Sequence, residues 1–78
     1  MAYRILQTAA DARDVVADDM IEETLGWFDG ERLSTEAFID RLCHDYGGGG
    51  GWDIENYACP AVAEIMRRAR KMRAEASL

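Results

Sequence analysis

The side chains that could bind a metal or act as a nucleophile are concentrated in one short stretch of the chain. They are Cys43, His44, Asp45, Asp53, Glu55 and Cys59. Zinc sites use paired spacings such as Cys-x-x-Cys, because the ligands must converge on one ion. Adjacent side chains on a helix instead diverge by about 100°, so Cys43 and His44 make neither a shared metal site nor a nucleophile and base pair. We therefore expect no catalytic residues, no metal and no cofactor, and we predict that the protein is not an enzyme.

A metal- or redox-responsive regulatory domain that uses Cys43, His44 and Cys59 is the alternative for this stretch. The chain has two cysteines, which are too few for a disulfide scaffold, and buried free thiols are usual in a reducing cytosol. An oxidising compartment would allow one bridge between them.

Five consecutive glycines, Gly47 to Gly51, follow Tyr46 and precede Trp52. A phosphate-binding loop of the Walker type would need lysine and then serine or threonine after the glycines, and this chain has Trp52 and Asp53 there. We therefore predict that the run is a mobile hinge before the last helix.

Local signals predict three helices, over residues 9–28, 34–46 and 60–76. Thr8 and Asp11 resemble a capping box, Ser34 is a typical N-cap, and Pro60 suits the first position of a helix. The sequence thus predicts one all-α domain over residues 1–78, with the glycine-rich connection before the third helix. An α+β fold remains the alternative, because residues 2–7 and 52–57 could pair as short strands.

The first predicted helix is amphipathic. At 100° per residue, its apolar arc contains Val16, Ala17, Met20, Ile21, Thr24, Trp27 and Phe28. A stripe of carboxylates follows its other side, formed by Asp11, Asp14, Asp18 and Glu22. Successive members are roughly 5–6 Å apart on a helix, which is close to the spacing of phosphates along a nucleic-acid strand. Such a stripe could enter a basic groove on another protein.

The net charge of −6 divides unevenly along the chain. Residues 1–58 contain thirteen acidic and four basic side chains, whereas residues 59–78 contain two acidic and five basic ones. The basic segment at 67–73 could pair with the acidic helix, within the molecule or between subunits, which we prefer, or it could bind nucleic acid. The negative total argues against direct nucleic-acid binding and against attraction to an anionic membrane.

No apolar run approaches the ~18 residues of a membrane span, and no secretory signal is evident, so we expect no membrane partner and a cytoplasmic location. A domain of 78 residues has a small core, which makes a homodimer possible. Trp52 follows the glycine run and is hard to bury completely there. We predict that it is an anchor for a partner.

The leading hypothesis is a small acidic interaction protein that inhibits or modulates a macromolecular partner, using Asp11, Asp14, Asp18, Glu22 and Trp52. In size and charge the chain resembles the small phage-encoded inhibitors of host defence, including the anti-CRISPR proteins, some of which mimic nucleic acid. The resemblance covers general character and no motif, so it implies no functional residues. It implies a protein partner with a basic surface.

Overall fold

The computed structural model describes residues 4–28, 34–48 and 51–77. Within these residues the chain is mostly helical, with four α-helices, one π-helical segment and two short strands. They are β1 (Arg4–Leu6), α1 (Ala9–Val15), α2 (Asp18–Trp27), α3 (Thr35–Leu42), the π segment (Cys43–Gly47), β2 (Trp52–Ile54) and α4 (Pro60–Ala76). The predicted predominance of helix is confirmed. The predicted count of three helices is wrong, and the strands of the α+β alternative are present.

The predicted helix over 9–28 is interrupted at Val16 and Ala17, which adopt extended backbone conformations. No proline or glycine lies at this point in the sequence. The interruption coincides with a tertiary contact, since Arg68 of α4 donates a hydrogen bond of 2.7 Å to the carbonyl oxygen of Val16. The same guanidinium binds Asp18 at the start of α2. In a continuous helix the Val16 carbonyl oxygen would accept a hydrogen bond from the backbone N–H four residues later, and the Arg68 guanidinium takes the place of that donor.

The break changes which side of α2 faces the core. Ile21, Thr24 and Leu25 are its buried residues, although the continuous pattern placed Leu25 at the edge of the acidic face. At 100° per residue, Trp27 lies about 120° from the direction of Ile21. Its side chain is accordingly 59% exposed, so the prediction that Trp27 faces the core is wrong.

The two strands pair in parallel, with Arg4 opposite Trp52 and Leu6 opposite Ile54. The first three helices connect them. Leu6 is fully buried and Trp52 is only 5% exposed, which corrects the expectation that Trp52 would be hard to bury. Its position in a strand, beside β1 and against the π segment, removes it from solvent.

Helix α4 begins at Pro60 and ends at Ala76, as the sequence predicted. It packs against α1 and α2 and contributes the largest share of the core. The core consists of Leu6, Ala12, Val16, Ile21, Leu25, Phe38, Ile39, Leu42, Trp52, Cys59, Ala61, Val62, Ile65, Met66 and Ala69. No helix in the described part of the chain is long and apolar enough to cross a membrane.

The predicted helix 34–46 corresponds to α3 and the π segment together, with Ser34 as the N-cap. The π segment is closed by a bond from the Gly48 N–H to the Cys43 carbonyl, five residues earlier. Gly47 is buried there, and a Cβ on it would lie 2.7 Å from the Trp52 carbonyl oxygen. Gly47 thus serves close packing. The predicted hinge extends over residues 49–50, which lie outside the described residues.

Candidate functional site

The carboxylates of the predicted stripe lie on two helices, because the chain breaks between α1 and α2. Arg4 pairs with both members on α1, at 2.8 Å from Asp11 and 2.5 Å from Asp14. Asp18, at the start of α2, pairs with Arg68 at 2.6 Å. This confirms the expected pairing between the acidic segment and the basic last helix. Three of the four stripe carboxylates therefore form ion pairs within the molecule, with Asp11 and Asp14 sharing the single positive charge of Arg4. Their role in partner binding stays a prediction.

Asp11 also has a structural role at the start of α1. Its side chain accepts hydrogen bonds from the backbone N–H groups of Gln7 and Thr8, while Thr8 caps the Asp11 N–H. These backbone donors, with Arg4, lower the pKa of Asp11 to about 2 from its ordinary value of 3.8. The capping box that the sequence predicted is thus formed.

Glu22 differs from the other stripe members. It is exposed on α2 and forms no ion pair with any residue that the structure describes. Asp19, beside it on the same helix, is likewise exposed and unpaired among these residues. These two carboxylates keep their full charge available at the surface.

Trp27 is the aromatic side chain that α2 presents to solvent. Its ring lies 4.0 Å from the guanidinium carbon of Arg41 on α3, a cation–π contact. Phe28 meets it edge to face, with ring centroids 4.8 Å apart. A tryptophan held in this way has few rotamers left to lose on binding. The wheel over 9–28 placed Trp27 on the apolar arc, and only the packing of α2 through Ile21, Thr24 and Leu25 leaves it exposed.

Two carboxylates of α2 lie on the same side of that helix as Trp27. Asp19, Glu23 and Trp27 are four residues apart in succession, so they share one side of α2. Asp45, in the π segment that follows α3, accepts a 3.0 Å hydrogen bond from Arg41 of α3. We define Asp19, Glu23, Trp27, Arg41 and Asp45 as the acidic–aromatic surface.

Two further contacts fix the side chains of this surface. The Tyr46 hydroxyl is hydrogen-bonded to Glu23, which raises the pKa of Tyr46 to about 12. His44 lies 3.2 Å from Asp45, and this contact, with Arg41, lowers the pKa of the Asp45 carboxyl below its ordinary value. Asp45 thus binds the same Arg41 side chain that lies over the Trp27 ring.

Trp52, the predicted anchor, is not part of the acidic–aromatic surface. It is buried against Gly47, so it is not available for contact in this conformation. Binding through Trp52 would first require β2 to separate from the π segment. The expected exposure of Trp52 was wrong because it was judged from the neighbouring glycines and not from the strand pairing. Its role as an anchor stays a prediction.

The cysteines lie apart from the acidic–aromatic surface. Both are free thiols, with Cys59 buried and Cys43 half-buried. Burial, together with the charges of Asp53 and Asp40, raises the pKa of Cys43 to about 11. In the parts of the chain that the structure describes, no group of three His, Cys, Asp or Glu side chains could hold a metal ion. The metal or redox alternative stays a prediction with no geometry behind it.

Part of the basic segment at 67–73 is already engaged. Arg67 makes two hydrogen bonds to the buried Glu64, of 2.9 and 3.2 Å, which lower the pKa of Glu64. Arg68 binds Asp18 and the Val16 carbonyl. Arg68 therefore joins α4 to the junction of α1 and α2, whereas the Arg67–Glu64 pair lies within α4.

Comparison with known proteins adds no functional assignment. No protein-family model, curated protein or solved structure gives a significant match to this chain.

Proposed function

We propose that the protein is a binding module that places its acidic–aromatic surface on a basic surface of a partner protein and thereby inhibits or modulates that partner. The observation that carries the proposal is the exposed Trp27 ring, held by Arg41 and Phe28 beside unpaired carboxylate charge. No enzymatic role is part of the proposal.

The exposed tryptophan supplies the apolar anchor. Tryptophan is enriched among the few interface residues that dominate binding energy, because one rigid ring buries a large area. Trp27 is 59% exposed in a molecule whose other tryptophan is buried. Since Arg41 already restrains the ring, a partner would gain this contact with little loss of side-chain entropy.

The charges select the kind of partner. Asp19 and Glu22 have no ion pair within the described residues. Glu23 of α2 and Asp45 of the π segment add two further carboxylates. Their field would attract lysine and arginine side chains and accelerate the encounter with a basic protein surface. The proposal takes Asp19, Glu23 and Trp27 from the acidic–aromatic surface and keeps Glu22 of the predicted stripe as a nearby charge on α2 outside that surface. Asp11, Asp14 and Asp18 act as stabilisers of the fold.

The resemblance to phage-encoded inhibitors of host defence suggests the class of partner. A basic protein groove whose normal ligand is nucleic acid would accept carboxylates in place of phosphates. Occupation of that groove would exclude the nucleic acid, so inhibition would follow from binding alone. We therefore propose a nucleic-acid-binding protein as the partner.

The test is capture of the partner by matched variants. The tagged protein, Trp27→Ala, and Ile5→Ala would each be incubated with lysate of the native host, and captured proteins quantified by mass spectrometry. Ile5 is a suitable control because it is 45% exposed and lies on β1, outside the acidic–aromatic surface. Loss of a hot-spot tryptophan costs roughly 2–4 kcal/mol, so we expect captured protein to fall by roughly 30-fold or more for Trp27→Ala.

Two outcomes would contradict the proposal. Equal capture by Trp27→Ala and Ile5→Ala would show that the ring is not the anchor. Capture that resists duplex DNA added as a competitor would refute the nucleic-acid-groove version. Circular dichroism of each variant would establish that the fold is retained, and Asp19→Asn with Glu23→Gln would test the charge contribution separately.

A further inference from the structure

The two-stranded sheet has one open backbone edge. β2 is covered on its far side, because the π segment packs against it and the Trp52 carbonyl oxygen lies close to Gly47. β1 forms the other side of the sheet, and among the described elements only β2 packs extensively on it. An edge strand presents N–H and C=O groups that can pair with a further strand. The free edge of β1 is therefore a place where another chain can be added.

Ile5 carries the open hydrogen-bonding groups of this edge. The Arg4 N–H donates to the Gly51 carbonyl oxygen at 2.8 Å. In a parallel ladder, successive residues alternate between facing the partner strand and facing away from it. Arg4 and Leu6 therefore bond to β2, and the N–H and C=O of Ile5, between them, point away from it. Neither group of Ile5 has a hydrogen-bond partner within the described ranges.

Carboxylates flank the free edge on both faces of the sheet. Asp53 lies on the face that is turned from the core, and the exposed Glu55 follows β2 directly. Neither forms an ion pair with any residue that the structure describes. On the other face, Arg4 supplies one positive charge against the two carboxylates of Asp11 and Asp14. The surroundings of the edge are therefore negative.

We propose that the free edge of β1 binds an extended segment of a partner protein in which lysine or arginine alternates with apolar residues. Ile5 would supply two main-chain hydrogen bonds, which position the added strand, and the flanking carboxylates would select its cationic side chains. A second copy of this chain fits less well, because it would bring a further net charge of −6 to negative surroundings. The contact uses no residue of the acidic–aromatic surface.

The test is an NMR titration of the ¹⁵N-labelled protein with the peptide acetyl-Lys-Val-Lys-Val-Lys-amide. We expect saturable shifts at Ile5, and hydrogen exchange of its amide should slow by roughly tenfold at saturation because the N–H gains an acceptor. The peptide acetyl-Glu-Val-Glu-Val-Glu-amide should bind roughly tenfold more weakly. N-methylation of the three internal residues of the lysine peptide removes its main-chain donors and should weaken binding by roughly fivefold or more.

Ile5→Pro tests the edge from the side of the protein. Proline lacks the N–H and is tolerated on edge strands where that group faces away from the sheet, so the ladder with β2 is kept. This variant should bind the lysine peptide roughly fivefold more weakly or worse. Ile5→Ala keeps both main-chain groups and should weaken binding by a much smaller factor.

Glu55→Gln tests the charge contribution and should weaken binding of the lysine peptide by roughly threefold. Its control is Glu75→Gln, which removes the same charge from an exposed residue near the end of α4. The start of that helix is the part that contacts Gln7, next to β1, so Glu75 is distant from the edge. Glu75→Gln should leave the dissociation constant unchanged.

Several results would overturn the proposal. They are the absence of saturable shifts at Ile5, equal binding of the lysine and glutamate peptides, and equal binding of the N-methylated peptide. Circular dichroism would establish that Ile5→Pro is folded; if it is not, the N-methylated peptide makes the same test on the unaltered protein. Exchange of the Ile5 amide that slows with rising protein concentration, without peptide, would assign the edge to a second copy instead. None of these measurements depends on Trp27, so failure here leaves the capture experiment unaffected.

Discussion

Replacement of Gly47 by alanine should destabilise the protein, because Gly47 lies against the backbone of Trp52. An added Cβ would be 2.7 Å from the Trp52 carbonyl oxygen and 3.3 and 3.4 Å from two atoms of its indole ring. The closest of these atoms belongs to the backbone of β2, which cannot rotate aside as a flexible side chain would. Relief of the clash would therefore require β2 to move away from the π segment.

Two opposing effects set the size of the change. Overpacking in a well-packed interior costs roughly 1–3 kcal/mol. Alanine also restricts the unfolded chain, which stabilises a protein by roughly 0.4–1 kcal/mol where the native backbone accepts it. Gly47 does not have a positive φ, so that gain applies. We expect a net loss of roughly 1–2 kcal/mol, equivalent to a fall in Tm of roughly 4–16 °C for a domain of this size.

Gly26→Ala is the matched control. Gly26 lies near the end of α2, and a Cβ there would meet no atom within 4 Å. The same substitution should therefore stabilise the protein by about 0.5–1 kcal/mol, through helix propensity and reduced freedom of the unfolded chain. Urea denaturation and thermal unfolding of the three proteins would measure both changes.

Opposite signs for the two variants are the expected result. An increase in stability for Gly47→Ala comparable to that of Gly26→Ala would refute the close packing of the π segment on Trp52. The burial of Trp52 against Gly47 would then be wrong, and the predicted anchor role for Trp52 would regain support.

Three further predictions concern protonation, thiol reactivity and core packing. The pKa of Asp11 is lowered from 3.8 to about 2, so its contribution to stability is present above pH 3.8 and is lost as the pH falls through 2. The free energy of unfolding in urea should therefore depend less on pH over this window for Asp11→Asn than for the unaltered protein. Cys43, with a pKa raised to about 11, should react with iodoacetamide at pH 8 far more slowly than glutathione does. The buried Cys59 should react only on unfolding. Rapid alkylation of the native protein would contradict both expectations. Phe38→Ala removes a fully buried side chain and should cost roughly 3–5 kcal/mol, so near-native stability in urea would show that α3 is not docked on the core.

The features that were predicted correctly depend on residues close together in the sequence. The capping box at Thr8, the N-cap at Ser34 and the start of α4 at Pro60 each involve contacts within three or four residues. Such contacts are determined by local backbone geometry and are visible in the sequence. The same holds for the apolar stripe of α4, whose period matches the helix along its whole length.

The candidate surface was only partly predictable. Glu22, identified from the charge pattern, is exposed on the same helix as Trp27 but is not a member of that surface. Trp27 was placed on the apolar arc of the first predicted helix. That assignment assumed one helix through Val16 and Ala17, and the assumption failed at a point with no proline or glycine to indicate a break. A helical wheel is reliable only as far as the helix is continuous, so an error in continuity moved the aromatic side chain to the wrong face.

The sequence by itself therefore determined the helical character, the ends of most helices, the acidic charge and the pairing of acidic and basic segments as a possibility. Tertiary structure decided the break between α1 and α2, the pairing of β1 with β2, and which tryptophan faces solvent. The reason is the distance along the chain over which these contacts act. Arg68 binds the carbonyl of Val16, 52 residues earlier, and Arg4 pairs with Trp52 across the sheet. No local pattern encodes such contacts, because they form only when the packed helices bring the two segments together.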